Sequence, residues 1–284
     1  MQTAKGNETN NLPSLPHNRI KQAFEQARQK GRGALLPYFM CGYPSAEQSV
    51  KIVLAAIEGG ADLVELGMPF SDPLADGATI QRAGQIALER GMTLNGCLEI
   101  ARQVAVQSEV PLILMGHYNP ILTYGIERFC QTAYNNGVSG LIIPDLPPEE
   151  ALPLLAAAQK HGLSLIFLIP PTASDARIIK IAELTAQGSG GFIYCVSLNG
   201  VTGSRTSLPV DLRHFIERIH GYTKDKAIPL VVGFGLSTPE HIAEVTSYAD
   251  GAAVGSALVN LIDQYSKNEQ AEAVTSYIRS LSQP

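Results

Sequence analysis

The 284 residues carry 21 Lys+Arg against 26 Asp+Glu, a formal charge of -5, and 45% of them are hydrophobic. That balance supplies no field for nucleic acid or an anionic membrane, while the length suits either one large α/β barrel or two ordinary domains. No run reaches the roughly 18 apolar residues of a membrane span, the N-terminus lacks a signal-peptide core, and Cys41, Cys97, Cys130 and Cys195 are too scattered for a zinc site or a disulfide framework, so a soluble, cytoplasmic, metal-free protein is expected.

After an amphipathic helix around Ile20–Gln29, eight short apolar runs follow with helical stretches between them: Ala34–Phe39, Asp62–Leu66, Pro111–Met115, Gly140–Pro144, Ser164–Ile169, Gly191–Val196, Pro229–Gly233 and Gly251–Val254. Each is rich in Leu, Ile, Val or aromatic residues, the pattern of buried parallel strands wrapped by helices. The helical stretches include Ser45–Glu58, Glu127–Asn135, Pro148–Lys160 and Thr238–Ser247; Ser45, Pro148 and Thr238-Pro239 are starting residue types, and Gly59, Gly137 and Gly162 are terminators. Eight such units close into a (β/α)8 TIM barrel, whereas an open doubly wound sheet would carry a Gly-rich dinucleotide turn that Met40-Cys41-Gly42-Tyr43-Pro44 lacks. No linker interrupts the middle of the chain, so a single domain over residues 17–284 is expected, behind a flexible arm, residues 1–16, whose Asn, Thr and Pro bury no apolar surface.

In such barrels the chemistry sits at the C-terminal ends of the strands. There Asp62-Leu63-Val64-Glu65-Leu66-Gly67 places an acid inside an apolar run. Burial at the barrel mouth raises a carboxyl pKa towards that of an acid/base working near neutrality; a structural ion pair is the alternative. The loop that follows, Pro69–Gly77, is long and holds two further acids, Asp72 and Asp76, one suited to capping a turn or helix and the other to facing Glu65. Glycines after the last three strands, in Asn199-Gly200-Val201-Thr202-Gly203-Ser204, Gly233-Phe234-Gly235 and Gly255-Ser256, let backbone N–H groups converge on a phosphate.

Other candidates weigh less. His117, just past the third strand, is expected as a wall residue rather than a base or ligand, and Tyr38 and Tyr194 as barrel filling whose hydroxyls reach the mouth. No Ser-His-Asp or Cys-His arrangement is legible and no Lys ends a strand, which disfavours nucleophilic and Schiff-base chemistry. A metal-free acid/base reaction on a phosphosugar remains.

The run Glu65-Leu66-Gly67-Met68-Pro69-Phe70-Ser71-Asp72-Pro73-Leu74-Ala75-Asp76-Gly77 closely resembles the signature of tryptophan synthase α subunits, and the likeness continues through Tyr118-Asn119-Pro120, Pro144-Asp145-Leu146-Pro147, Gly200-Val201-Thr202-Gly203, Gly233-Phe234-Gly235 and Gly255-Ser256. The resemblance implies retro-aldol cleavage of indole-3-glycerol phosphate to indole and glyceraldehyde 3-phosphate in tryptophan biosynthesis, with Glu65 as acid/base and Asp76 as partner of the indole N–H. It further implies an indole slot of Tyr38, Leu114, Ile142 and Leu168, positioning by Tyr194 and Thr202, and a phosphate cradle of Gly203, Gly233, Gly235, Gly255 and Ser256, with residues 198–207 as a lid. No cofactor is implied in this chain; pyridoxal phosphate belongs to the family's β subunit, and the loops around Asp72 and Asn119-Pro120 resemble the surface that meets it in an αββα tetramer. One departure stands out: Ser197-Leu198-Asn199 stands where many α subunits have Arg after the Ser, and it is similar to stand-alone plant lyases that release free indole, the alternative function.

Overall fold

The computed structural model describes residues 19–73, 76–196, 211–233 and 235–282; the expected arm, residues 1–16, lies outside them. The chain runs α1 (Arg19–Gln29), β1 (Ala34–Met40), α2 (Ala46–Glu58), β2 (Val64–Gly67), α3 (Ala78–Glu89), α4 (Leu94–Ala105), β3 (Leu112–Met115), α5 (Tyr118–Tyr124), α6 (Ile126–Asn135), β4 (Val138–Ile142), α7 (Leu152–Lys160), β5 (Ser164–Ile169), α8 (Asp175–Gln187), β6 (Ile193–Val196), α9 (Leu212–Thr223), β7 (Leu230–Gly233), α10 (Pro239–Thr246), β8 (Gly251–Val254), α11 (Ser256–Gln264) and α12 (Gln270–Ser282). The strands pair in parallel in sequence order, and β1 pairs with both β2 and β8, so the sheet closes and has no edge to protect. The TIM barrel expected from the sequence is the architecture found.

Closure divides each strand's side chains between two cores by the period of two. Leu112 and Leu114 pack outward under the helices, and Ile113 and Met115 point into the barrel; in β2, Val64 and Leu66 pack outward. The N-terminal end of the barrel is stoppered by α1, whose Ile20, Ala23, Phe24 and Ala27 follow the i, i+3, i+4, i+7 spacing of one helix face and join the inner core. Phe24 meets Phe192 edge-on, with centroids 5.6 Å apart. Helix starts follow local chemistry: the Ser45 and Thr238 hydroxyls accept from the backbone N–H of Gln48 and His241.

Many ends move by a residue or two, and two elements are shifted furthest from expectation. The fourth strand forms over Val138–Ile142 rather than Gly140–Pro144, because the chain turns out of α6 at left-handed Gly137 (φ 85°) and is extended at once, while Pro144 has no N–H for the ladder. Helix α7 begins at Leu152 rather than Pro148, since Glu150 donates its N–H to the Pro147 carbonyl in a separate turn first. Neither shift moves a strand end that bears an acid.

Removing the stopper ring tests the role of α1. Phe24→Ala is expected to lower the unfolding free energy by about 3–5 kcal/mol, through lost burial and a residual cavity. Urea denaturation measures this, and the turnover of the folded variant should stay near that of the parent, because Phe24 lies at the end of the barrel opposite the acids.

Candidate active site

Register sets the site. In β1 and β2, Tyr38 stands beside Glu65, and in β5 and β6, Leu168 stands beside Tyr194. Two glycines give the tyrosine rings their seats: a Cβ on Gly67 would strike the Tyr38 hydroxyl, and one on Gly233 the Tyr194 hydroxyl. Glu65 is 1% exposed, and its Oε1 has no hydrogen-bond partner among the described residues. Burial alone pushes its carboxyl up to about 8, so the group is protonated near neutrality and close to the pH at which it gives its proton up. Among the described residues Glu65 makes no ion pair, so the alternative finds no partner there.

The loop after β2 separates its two acids. Asp72 is exposed and accepts from the Ser71 hydroxyl, 2.5 Å away, whereas Asp76 is half-buried and lines the barrel mouth. Burial raises the Asp76 carboxyl above the usual Asp value, and His117 opposes that shift. The loop is tied to the start of α3 by Gln81, whose Nε2 donates to the Asp76 carbonyl (2.9 Å) and the Pro73 carbonyl (3.3 Å). This latch was not legible as such in the sequence; a Gln in the first turn after an acidic loop is the only signal.

A narrow slot of about 60 Å³ is lined by Tyr38, Glu65, Asp76, Tyr194, Gly235, Gly255 and Ser256 among others. Burial, and then neighbouring negative charge, push both tyrosine hydroxyls well above their ordinary range, with Glu65 acting on each and Asp76 on Tyr38; both therefore remain protonated donors. At one side Gly255 and Ser256 open α11, where the first N–H groups have no helical partner, and left-handed Gly235 (φ 77°) borders the same space. At the other side, sharing Asp76 and Met115 as walls, a cavity of about 850 Å³ runs past Leu168, Val196 and the residues after β4 and β5.

Not every expected residue joins this mouth. Leu114 is corrected: it points outward into the core beneath the helices, and Met115, one residue on, lines both spaces in its place. Choosing the wrong parity in a four-residue strand turns a side chain to the opposite face. Ile142 is in the inner core but lines neither space, the wall there being Ile143, and Gly233 serves as the seat of Tyr194. Thr202, Gly203 and the expected lid lie outside the described residues.

Two acids with raised pKa, one with an oxygen unpartnered among the described residues, beside a helix start and a larger cavity place the chain in the class of barrels equipped for proton transfer next to an anion site. The comparisons sharpen that class. The family model for the tryptophan synthase alpha chain matches residues 24–283. A tryptophan synthase alpha chain from Roseiflexus sp. (strain RS-1) is 48% identical over 265 residues, covering 93% of this chain and 99% of that one. The crystal structure of the alpha chain from Legionella pneumophila matches at a TM-score of 0.83 and 35% identity over 93% of this chain and 96% of that one, and a structure of Mycobacterium tuberculosis tryptophan synthase at 0.85 and 32% over 93% and 97%. The chain belongs to the tryptophan synthase alpha chain family, and with membership goes the α-chain role in tryptophan biosynthesis as a carbon–carbon lyase.

Burial of Glu65 has a consequence for stability. Its folded pKa of about 8 exceeds the ordinary 4.5, so across that window the folded protein holds a proton that the unfolded chain has released, and stability falls as pH rises. Relative to Glu65→Gln, which carries no titrating group, the parent is expected to lose on the order of 4 kcal/mol between about pH 4.5 and pH 8. Chemical denaturation at several pH values reads this difference; parallel pH dependences for the two proteins would contradict the buried carboxyl.

Proposed function

We propose that Glu65 and Asp76 carry out the retro-aldol cleavage of indole-3-glycerol phosphate to indole and glyceraldehyde 3-phosphate. The observation that carries this reading is the buried, protonated Glu65 carboxyl, its Oε1 unpartnered among the described residues, in the same slot as Asp76, Gly255 and Ser256. The substrate phosphate sits against the start of α11, with Gly235 beside it, and the indole lies between Met115, Leu168 and Asp76.

The protons balance through one group. Glu65 donates to indole C3, and the ring nitrogen becomes an iminium whose charge the Asp76 carboxylate offsets. The Glu65 carboxylate then takes the proton from the hydroxyl on the adjacent glycerol carbon. That oxygen becomes the aldehyde as the carbon–carbon pair returns to the ring, releasing neutral indole and restoring protonated Glu65. Tyr38 and Tyr194 stay protonated beside Glu65 and orient it.

The chain works in the cytoplasm as a single catalytic domain, residues 17–284, behind the arm of residues 1–16. It needs no cofactor of its own; its partner is a β subunit that carries pyridoxal phosphate, in an αββα tetramer. The Mycobacterium tuberculosis structure matched above is of tryptophan synthase itself, which supports that assembly. Among the described residues no helix is long and apolar enough to cross a membrane.

Purified full-length chain assayed for indole release, alone and with β subunit, tests the reading. Stimulation by the β subunit is expected; fast release that ignores it would select the stand-alone lyase. Glu65→Gln should reduce turnover by about 10³-fold while leaving substrate binding near that of the parent, and Asp76→Asn by about 10²-fold. Activity needs Glu65 protonated and Asp76 ionised, so the pH profile of kcat/KM should be a bell, with the alkaline limb near 8 and the acid limb above the ordinary Asp value of 3.8. A rate still rising well beyond the Glu65 value would remove that group from the role of proton donor.

A further inference from the structure

His117 has more to do than form a wall. Beyond β3 the backbone stays extended through His117 (φ -95°, ψ 152°), so the alternation that turns Ile113 and Met115 inward turns this ring towards the mouth as well. Gly116 between them is required by contact, since a Cβ there would meet the Met68 side chain at 2.7 Å. The imidazole stacks on Phe70 of the acidic loop, with centroids 4.7 Å apart and planes at 27°. It is 9% exposed, and its Nδ1 is buried without a hydrogen-bond partner among the described residues. The nearby acid Asp145 is engaged elsewhere, accepting the Tyr118 N–H at 3.0 and 3.2 Å.

An aromatic hydrocarbon would fill this place and stack on Phe70 without burying an unused polar atom. The stack on Phe70 sets the ring against the loop that carries Asp76, and Asp76 is the acid on which the ring acts electrostatically. We propose, resting on the reading of Asp76 as counterweight to the indole nitrogen, that His117 is its positioning residue: locked in plane by Phe70, the imidazole holds the Asp76 carboxylate ionised and turned to the cavity.

The titratable groups about this pair come from four elements. His117 stands at the end of β3, Tyr38 in β1 senses Asp76, and Glu65 in β2 acts in turn on Tyr38 and on Tyr194 of β6. Of the groups acting on Asp76, His117 favours its charged form, working against burial. Removing the imidazole therefore leaves the carboxyl easier to protonate, and the ionised fraction at a given pH drops.

Full-length chain with saturating β subunit provides the test. His117→Phe keeps a ring against Phe70 and deletes both nitrogens; its KM should stay within about twofold, its kcat fall about tenfold, and the acid limb of kcat/KM move up by about one pH unit. His117→Asn, which returns an amide near the place of Nδ1, should recover part of both. If His117→Phe fails to fold, His117→Leu carries the same expectation for the acid limb. An unmoved acid limb with parental kcat in a folded apolar variant, or a loss confined to KM, would leave His117 a wall residue only. Asp76→Asn run alongside separates the two layers: slow turnover there with a normal His117→Phe sinks only the part given to His117, and parental turnover there sinks the role of Asp76 and His117's with it.

Discussion

A carboxyl held at 1% exposure, with an oxygen that accepts no hydrogen bond from the described residues and burial as the cause of its shift, is a group that a stable core would exclude. The barrel tolerates it by keeping it neutral. Every other feature of the mouth answers that one desolvated group: protonated Tyr38 and Tyr194 around it, glycines that make space for their rings, and a second acid in the same slot that stays nearer to solvent. Two carboxyls in different dielectrics acquire different protonation states at one pH, which is what a reaction needing both a proton donor and an anion requires.

The closed sheet makes that placement rigid. Inward residues of neighbouring strands lie side by side by register, so Glu65 is set against Tyr38 by backbone hydrogen bonds rather than by flexible side-chain contacts. Asp76 instead comes from a loop, tied at its carbonyl by the Gln81 latch. A strand-borne acid and a loop-borne one have different freedom. In the proposed reaction the strand-borne acid is the fixed proton carrier and the loop-borne acid the adjustable counterweight to the indole nitrogen.

Most of the fold was readable because strand and helix alternate with distinct periods and because the turn residues agree with them. The acidic strand was readable because one Glu in an apolar run is conspicuous. Leu114 was misplaced for a related reason: in Leu-Ile-Leu-Met every residue is apolar, so nothing in composition marks which parity faces inward, and only closure of the barrel turns Met115 to the mouth. The Gln81 latch and the Phe70 stack were illegible because each joins residues whose proximity depends on how a loop folds back.

What the order of residues decided by itself was local and chemical: eight short apolar runs between helices, an acid within the second, two more in the loop behind it, and glycines after the last three. Which of Asp72 and Asp76 looks into the cavity, that Glu65 is buried with Oε1 unpartnered among the described residues, and that a histidine ring lies against the acidic loop were decided only when the sheet closed. Desolvation and electrostatic coupling depend on distances between segments far apart in the chain, and those distances exist only in the folded barrel.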